Sequence, residues 1–357
     1  MAPVAPPIRR LLVVGLLLVI GLAAYQIVSS IRVGALRSQL SLAVEQRRFG
    51  DAERLLGRCF QQSPQDPHLH LVAAQLARRQ GDLAEMNREL GYCRANGGSP
   101  DAIEFERRLA EIQAGDFTQG ARFLEFAHTQ PETLEGQMAL EAIVVGSLAK
   151  LDVPRARRHV KEWKNRYRED ANQAQAFHWE GMAHELNGES TAARESYRAA
   201  LQVQPEHRSA RLALVDILSD EEPQAALELI SAFPADAVGD REVRLRRARI
   251  DQNLGNLTAA ETLLDELLKE SPDDVDLLVA RGRLALASPQ PSTADSWLRR
   301  ADRLSPKHRG VLLAMIEFFR ATGNTVEAER YRLRMVATEA EAKRALEQRF
   351  KSVGQSE

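Results

Sequence analysis

Residues Ala174–His207 read AQAFHWEGMAHELNGESTAARESYRAALQVQPEH, and this 34-residue stretch decides the fold. Phe177, Gly181, His184 and Leu186 mark a first helix, and Asn187-Gly188 breaks it. Ala193, Tyr197, Ala200 and Leu201 mark a second helix, and Pro205 ends it, because proline has no N–H and clashes with the preceding turn. Gly181 and Ala193 let the two helices approach closely, while Ala200 is placed to pack on the next unit. A single hairpin cannot bury its apolar faces alone, so the stretch predicts neighbours of its own kind.

Sliding the same template along the chain finds them. Val33–Pro64 carries Leu36, Leu40, Ala43, Ala52, Leu56 and Cys59, with Arg47 where the turn glycine is expected. Asp66–Ser99 carries Ala74, Gly81, Leu90 and Cys93, with Met86 in an alanine slot. Asp101–Pro131 and Thr133–Asn172 are degenerate copies, and Ala174–His207 is the fifth. Arg208–Gly239 is cut short by Pro234, and the acidic turn Ser219-Asp220-Glu221-Glu222 makes 219–240 the place where the array can bend or divide. Arg241–Asp274, Val275–His308 and the segment from Arg309 onward repeat the pattern clearly, with Gly255, Gly282 and Gly323 in phase. A charged helix, Ala337–Lys351, follows as a polar cover for the open end, and residues 352–357 are expected to fray.

This pattern resembles the tetratricopeptide repeat, a helix–turn–helix unit with a 34-residue period. The resemblance implies an all-α fold, an α-solenoid of about nine hairpins over residues 33–351. It also implies a function in protein–protein interaction, with the first helix of each hairpin lining a concave face that holds a peptide or partner helix. The Lys and Asn residues by which some members clamp chaperone tails are missing: the corresponding slots hold Leu245, Val279 and Leu313.

Ahead of the repeats, residues 1–10 form a Pro-rich tail with Arg9 and Arg10. Leu11 to Ile31 then contain no charged residue. As a helix that run spans about 30 Å, the thickness of a bilayer's hydrocarbon core. It is read as one transmembrane helix, a signal anchor, with a signal peptide cut after Ala23 as the competing reading. The basic residues on the two sides, Arg9 and Arg10 against Arg32 and Arg37, are nearly balanced. A short tail before a single anchor favours a cytoplasmic tail and an extracytoplasmic array, in a bacterial inner membrane. A secreted array and a cytoplasmic array are the alternatives.

With 48 basic and 50 acidic residues the net charge is -2, which gives no field suited to nucleic acid. Cys59 and Cys93 are the only cysteines, too few for a disulfide framework. Being one repeat apart, they occupy the same slot and are expected to be buried thiols about 10 Å apart, beyond disulfide reach. No P-loop, dinucleotide fingerprint, nucleophile elbow or HExxH is present. His178 and His184 are six residues apart, on different faces of one helix, unlike a metal-binding pair. Asn256-Leu257-Thr258 fits a glycosylation sequon, but Asn also suits the repeat turn it occupies. No catalytic residue, metal site or cofactor is expected, and the chain is not expected to be an enzyme.

The candidate site is therefore a surface. Arg246, Arg249 and Asn253 fall on one face of the seventh repeat's first helix, and Arg283 occupies the slot equivalent to Arg249 in the eighth. These four residues compose a basic strip suited to an acidic or carboxylate-bearing partner segment. The competing account is a solvated face whose arginines pair with Glu242, Asp251 and their neighbours. A second basic run, Arg155–Arg168, is placed on the convex side. The function expected is a membrane-anchored scaffold or adaptor holding partner proteins at the cell envelope. The alternative is a non-catalytic regulatory or specificity subunit of a membrane enzyme or of a secretion or glycan-assembly machine.

Overall fold

A computed structural model describes residues 32–118, 120–233, 240–288 and 293–353. The tail 1–10 and the uncharged run Leu11–Ile31 lie outside the described residues. Among the described residues, no helix is long and apolar enough to cross a membrane.

Eighteen helices and no strand occur among the described residues. They pair as nine hairpins: α1 (32–45) with α2 (Phe49–Gln62), α3 (Pro67–Gln80) with α4 (Leu83–Ala95), and α5 (Pro100–Gln113) with α6 (Gly120–Thr129). Then come α7 (Leu134–Ala149) with α8 (Val153–Arg166), α9 (Asp170–Leu186) with α10 (Ser190–Val203), and α11 (Arg208–Glu221) with α12 (Pro223–Ser231). The last are α13 (Arg241–Asn253) with α14 (Leu257–Glu270), α15 (Val275–Leu286) with α16 (Ala294–Leu304), and α17 (Arg309–Ala321) with α18 (Thr325–Val353). Helices pack within hairpins, α3 on α4, α7 on α8, α9 on α10, α13 on α14, α15 on α16 and α17 on α18, and first helices pack on first helices, α3 on α5 on α7 on α9, and α13 on α15 on α17. This is the stacking of a solenoid.

Two compact units divide between Ala210 and Arg211. In the first, Trp163, Trp179, Leu140, Ile143 and Leu109 are buried in one apolar cluster. In the second, Leu264, Leu298, Leu312, Met315 and Phe319 form another. Cys59 and Cys93 are buried and free, as the shared slot predicts.

The turn slot recurs in conformation as well as in sequence. Gly81, Gly115, Gly188, Gly255 and Gly323 all have φ between 73 and 82°. Arg47 and Leu151 take the same slot with φ of 54 and 58°. The turn thus imposes a left-handed residue even where a side chain must pay for it. Gly181 and Gly282 serve a different need. A Cβ on Gly181 would stand 2.4 Å from the Tyr197 ring, and one on Gly282 would stand 2.4 Å from Leu298.

Boundaries differ in two places. The fifth hairpin begins at Asp170, four residues before the template, because Glu169 and Asp170 suit the positive end of a helix. Asn172 consequently belongs to α9 and not to the fourth repeat. The charged terminal helix is continuous with α18, a single element of 29 residues.

Candidate protein-binding surfaces

The predicted strip lies in the second unit. Arg246 grips Asp216 of α11 with Nε and Nη2, at 3.0 and 2.8 Å. Arg249 pairs with Asp220. Asn253 donates to the Ser219 carbonyl at 2.7 Å and to Asp220 at 3.1 Å. Arg283 turns the other way, donating from Nε and Nη2 to both oxygens of Glu317 on α17, at 3.0 and 3.1 Å. The four residues therefore sit on adjacent first helices, each engaged with an acidic or carbonyl group one hairpin away. Arg247, rather than a member of the strip, takes Asp251 at 2.9 Å. The resulting surface alternates in charge. A partner carboxylate meeting it would share guanidiniums that already hold Asp216, Asp220 and Glu317.

The first unit contains a cleft of about 1410 Å³. Its walls come from α1, α3, the amino-terminal ends of α7 and α9, and the end of α10. At its floor stands Arg47, from the turn of the first hairpin. Its Nη1 and Nη2 donate to the two oxygens of Glu141 on α7 at 3.0 and 3.1 Å. Its Nε donates to Asn172 Oδ1 at 3.1 Å. The guanidinium lies 5.0 Å from the centre of the Trp163 ring and 6.0 Å from that of Trp179. Trp163 in turn donates Nε1–H to the Asn172 carbonyl at 2.9 Å. Both charges are almost wholly buried, with 6% of each side chain exposed.

Burial alone would raise the Glu141 carboxyl, but the Arg47 and Arg79 guanidiniums outweigh it and hold it well below the usual carboxylate range. Burial pushes the His207 imidazole down to about 4, with the Arg47 charge adding to the effect. Burial likewise pushes His178 down to about 3, with His207 adding. The two rings lie 5.4 Å apart, and His178 also touches Tyr197 at 5.6 Å. Both are neutral near pH 7.

Comparison with known proteins agrees with the helical-hairpin fold. The family model described as tetratricopeptide repeat matches residues 39–85, 180–238 and 245–309. In these stretches, just under half of the chain, the sequence is similar to tetratricopeptide repeats. No curated protein sequence matches the chain. Among solved structures, a tetratricopeptide repeat protein from Parabacteroides merdae is similar at 14% identity with a TM-score of 0.50, over 77% of this chain and 92% of that one. Yeast Tom70 aligns at 12% identity with a TM-score of 0.43, over 87% of this chain and 77% of that one. At such identities the likeness shows the fold alone. Arrays of such repeats present extended concave binding surfaces.

The second basic run lies on α8, the sequon asparagine lies in the turn before α14, and two histidines lie near the start of α3. On α8, Lys164 reaches Glu180 at 3.1 Å, Arg157 reaches Glu189 at 2.7 Å and Arg166 reaches Glu162 at 2.8 Å. His70 is buried, sharing its ring nitrogens with Glu89 and the Pro64 carbonyl, whereas His68 is exposed at the cleft. Asn256 precedes α14 as its N-cap residue, and its N–H donates to the Asp251 carbonyl at 2.7 Å. No group of three or more His, Cys, Asp or Glu able to hold a metal occurs among the described residues.

Sequence reading missed the floor of the cleft. Two signals pointed to it. Arg47 stands in a glycine slot, and Glu141 is a lone acid in the apolar run Met138–Leu148. Neither signal names the other residue, because the pairing spans 94 positions and depends on how the hairpins stack.

Proposed function

We propose that this chain is a membrane-anchored scaffold that binds partner proteins through its repeat array and holds them at the cell envelope. The observation that carries the binding role is the cleft of the first unit, about 1410 Å³ in volume and lined by both charged and apolar side chains. A cavity of that size admits a length of extended chain, and a mixed lining suits protein better than lipid or nucleic acid. The uncharged run Leu11–Ile31 supports the anchor. The same proposal places the array outside the cytoplasm.

In this reading the array is not catalytic and acts by holding. Purifying the full-length chain in detergent from its native membrane, after crosslinking, tests it. Several proteins retained in less than one copy each fit the scaffold. One enzyme retained in equal proportion would replace it with a dedicated subunit. A chain recovered from the soluble fraction would remove the anchor, and turnover by the array itself would remove the non-catalytic role. A reporter fused after Glu357 is expected to be active only outside the cytoplasm.

The basic strip belongs to the same proposal. Changing Arg246, Arg249 and Arg283 to Glu reverses the charge of the face and places each new carboxylate against Asp216, Asp220 or Glu317. An acidic partner should then be lost from the retained set. Unchanged retention would remove this face as a binding surface.

A further inference from the structure

Six carboxylates line the cleft of the first unit: Glu45, Glu132, Glu135, Glu169, Asp170 and Glu206. All six residues are exposed, and none forms an ion pair among the described residues. The arginines of the same lining are each engaged with an acid outside it. Arg37 pairs with Asp66 at 2.5 Å, Arg48 pairs with Asp51 at 2.7 Å, and Arg47 and Arg79 hold Glu141 at 3.0 and 3.4 Å. Two guanidiniums on Glu141 leave one positive charge unmatched, far fewer than the six carboxylates. The amino-terminal ends of α7 and α9 add about half a positive charge each, so the cleft stays negative.

The acids follow the repeat. Glu132 and Glu135 stand at the start of α7, Glu169 and Asp170 at the start of α9, and Glu206 in the turn after α10. Neighbouring packed helices lie about 8–10 Å apart, so the carboxylates recur at roughly that step. The lining is not polar throughout. Leu42 and Leu134 line the cleft with 46% and 54% of their surfaces exposed. Gln204, at the end of α10, lines it while only 8% exposed. Its amide donates to the Gln46 carbonyl at a long 3.3 Å, and its Oε1 is buried without a donor. An unmet buried acceptor is costly, and a small turn of so loosely held an amide presents the oxygen to an N–H group arriving from the cleft.

We propose that the cleft receives an extended protein segment that carries lysine or arginine at every third residue, with apolar residues between them. The proposal rests on the protein-binding reading and names the partner chemistry that reading lacks. A segment in the polyproline II form has three residues per turn and rises about 3.1 Å per residue. Residues i and i+3 then share a face about 9 Å apart, which matches the step between first helices. Successive basic side chains meet Glu132 and Glu135, then Glu169 and Asp170, then Glu206. Leu42 and Leu134 offer contact to the apolar residues between them. Unpaired carboxylates also draw a basic segment in and repel an acidic one. The strip on α13 and α15 has the opposite preference, so the two surfaces do not compete for one kind of segment.

The test uses titration calorimetry of the full-length protein in detergent with nine-residue peptides, both termini capped. One peptide has Lys at its second, fifth and eighth positions among Ala and Leu. A second has Gln at those positions, a third has Glu, and a fourth has the same composition as the first with its Lys residues adjacent. The spaced-Lys peptide is expected to bind about tenfold more tightly than the Gln peptide, more tightly than the adjacent-Lys peptide, and most tightly at low salt. The Glu peptide should bind weakest. Glu135→Gln, Asp170→Asn and Glu206→Gln together should bring the spaced-Lys peptide to the level of the Gln peptide. Glu195→Gln, at an exposed position of α10 outside the cleft, should leave it unchanged. Melting curves of the variants establish that each is folded. Equal binding of the spaced-Lys and Gln peptides, or of the spaced-Lys and adjacent-Lys peptides, overturns the proposal. So does absence of binding by all four, a preference that survives the triple substitution, or spermine binding as tightly as the spaced-Lys peptide. Retention of crosslinked partners by the same preparation would then leave the protein-binding reading standing, and loss of both would end it as well.

Discussion

Arg47 holds Glu141 through two parallel hydrogen bonds across 94 residues of sequence, which ties the turn of the first hairpin to the first helix of the fourth. Stacking between successive hairpins is local, so such a tie couples parts of a solenoid that otherwise do not communicate. Removing one partner of a buried pair leaves the other charge uncompensated, at a cost of about 3–5 kcal/mol. Glu141→Leu should therefore lower the stability of the first unit by roughly that amount, since it strands both Arg47 and Arg79. Arg47→Gly should cost less, because glycine accepts the positive φ that arginine bears there. Denaturant unfolding of the two variants checks the order. Equal losses would show that the pair and the backbone slot do not separate.

Leu151 offers the simpler case of the same slot. It has φ of 58° and is 69% exposed, so its side chain gains little packing in return for the left-handed backbone. The steric penalty of that conformation is about 1–2 kcal/mol for a residue with a Cβ. Leu151→Gly gives back some entropy in the unfolded chain but removes the clash. The expected outcome is a gain on the order of 0.5–1 kcal/mol, read as a higher denaturation midpoint with an unchanged slope.

The repeat period carries so much structural information that the hairpin order and the turn slot were legible from Ala174–His207 alone. Small residues at Gly181, Ala193 and Ala200 predict helix contacts because those contacts are local, within one hairpin or the next. The burial of Cys59 and Cys93 follows from the same phase. The cleft was not legible. Its floor joins Arg47 to Glu141 and Asn172, and the distance between those residues depends on small rotations accumulated over several hairpins. The strip at Arg246, Arg249, Asn253 and Arg283 was legible as a set of residues on first helices. Its pairing with Asp216, Asp220 and Glu317 was not, because helical spacing tells which residues share a face and not which residues oppose that face.

Gly181 tests the close approach within the fifth hairpin. Alanine there would set its Cβ 2.4 Å from the Tyr197 ring, well inside contact distance. Tyr197 is fully buried, so the ring has little room to move. Overpacking of this kind costs about 1–3 kcal/mol. Gly181→Ala should destabilise the first unit by that amount despite the better helix propensity of alanine. Pairing it with Tyr197→Leu should recover part of the loss. A neutral Gly181→Ala would mean that the helices separate at no cost.

His178 and His207 make the first unit sensitive to acid. Their folded values, about 3 and about 4, lie below the ordinary 6.5, so the unfolded chain binds more protons than the folded chain between those limits. Stability is therefore unaffected above about pH 7 and falls as the pH drops through 6.5 toward 4. At one pH unit and a half below 6.5, each buried neutral ring costs on the order of 2 kcal/mol. Glu141 adds its own loss only at lower pH, since its carboxylate stays ionised well below the usual range. Denaturation midpoints measured from pH 8 to pH 5 should decline in the wild-type protein. In His178→Leu the decline should be about half as steep, because one of the two titrating rings is gone and His207 no longer faces a second imidazole. In the double variant with His207→Gln it should shrink further, to what remains from His159, whose imidazole burial also lowers. A midpoint that is flat in the wild-type protein, or a slope that neither substitution changes, would show that other groups set the acid limit.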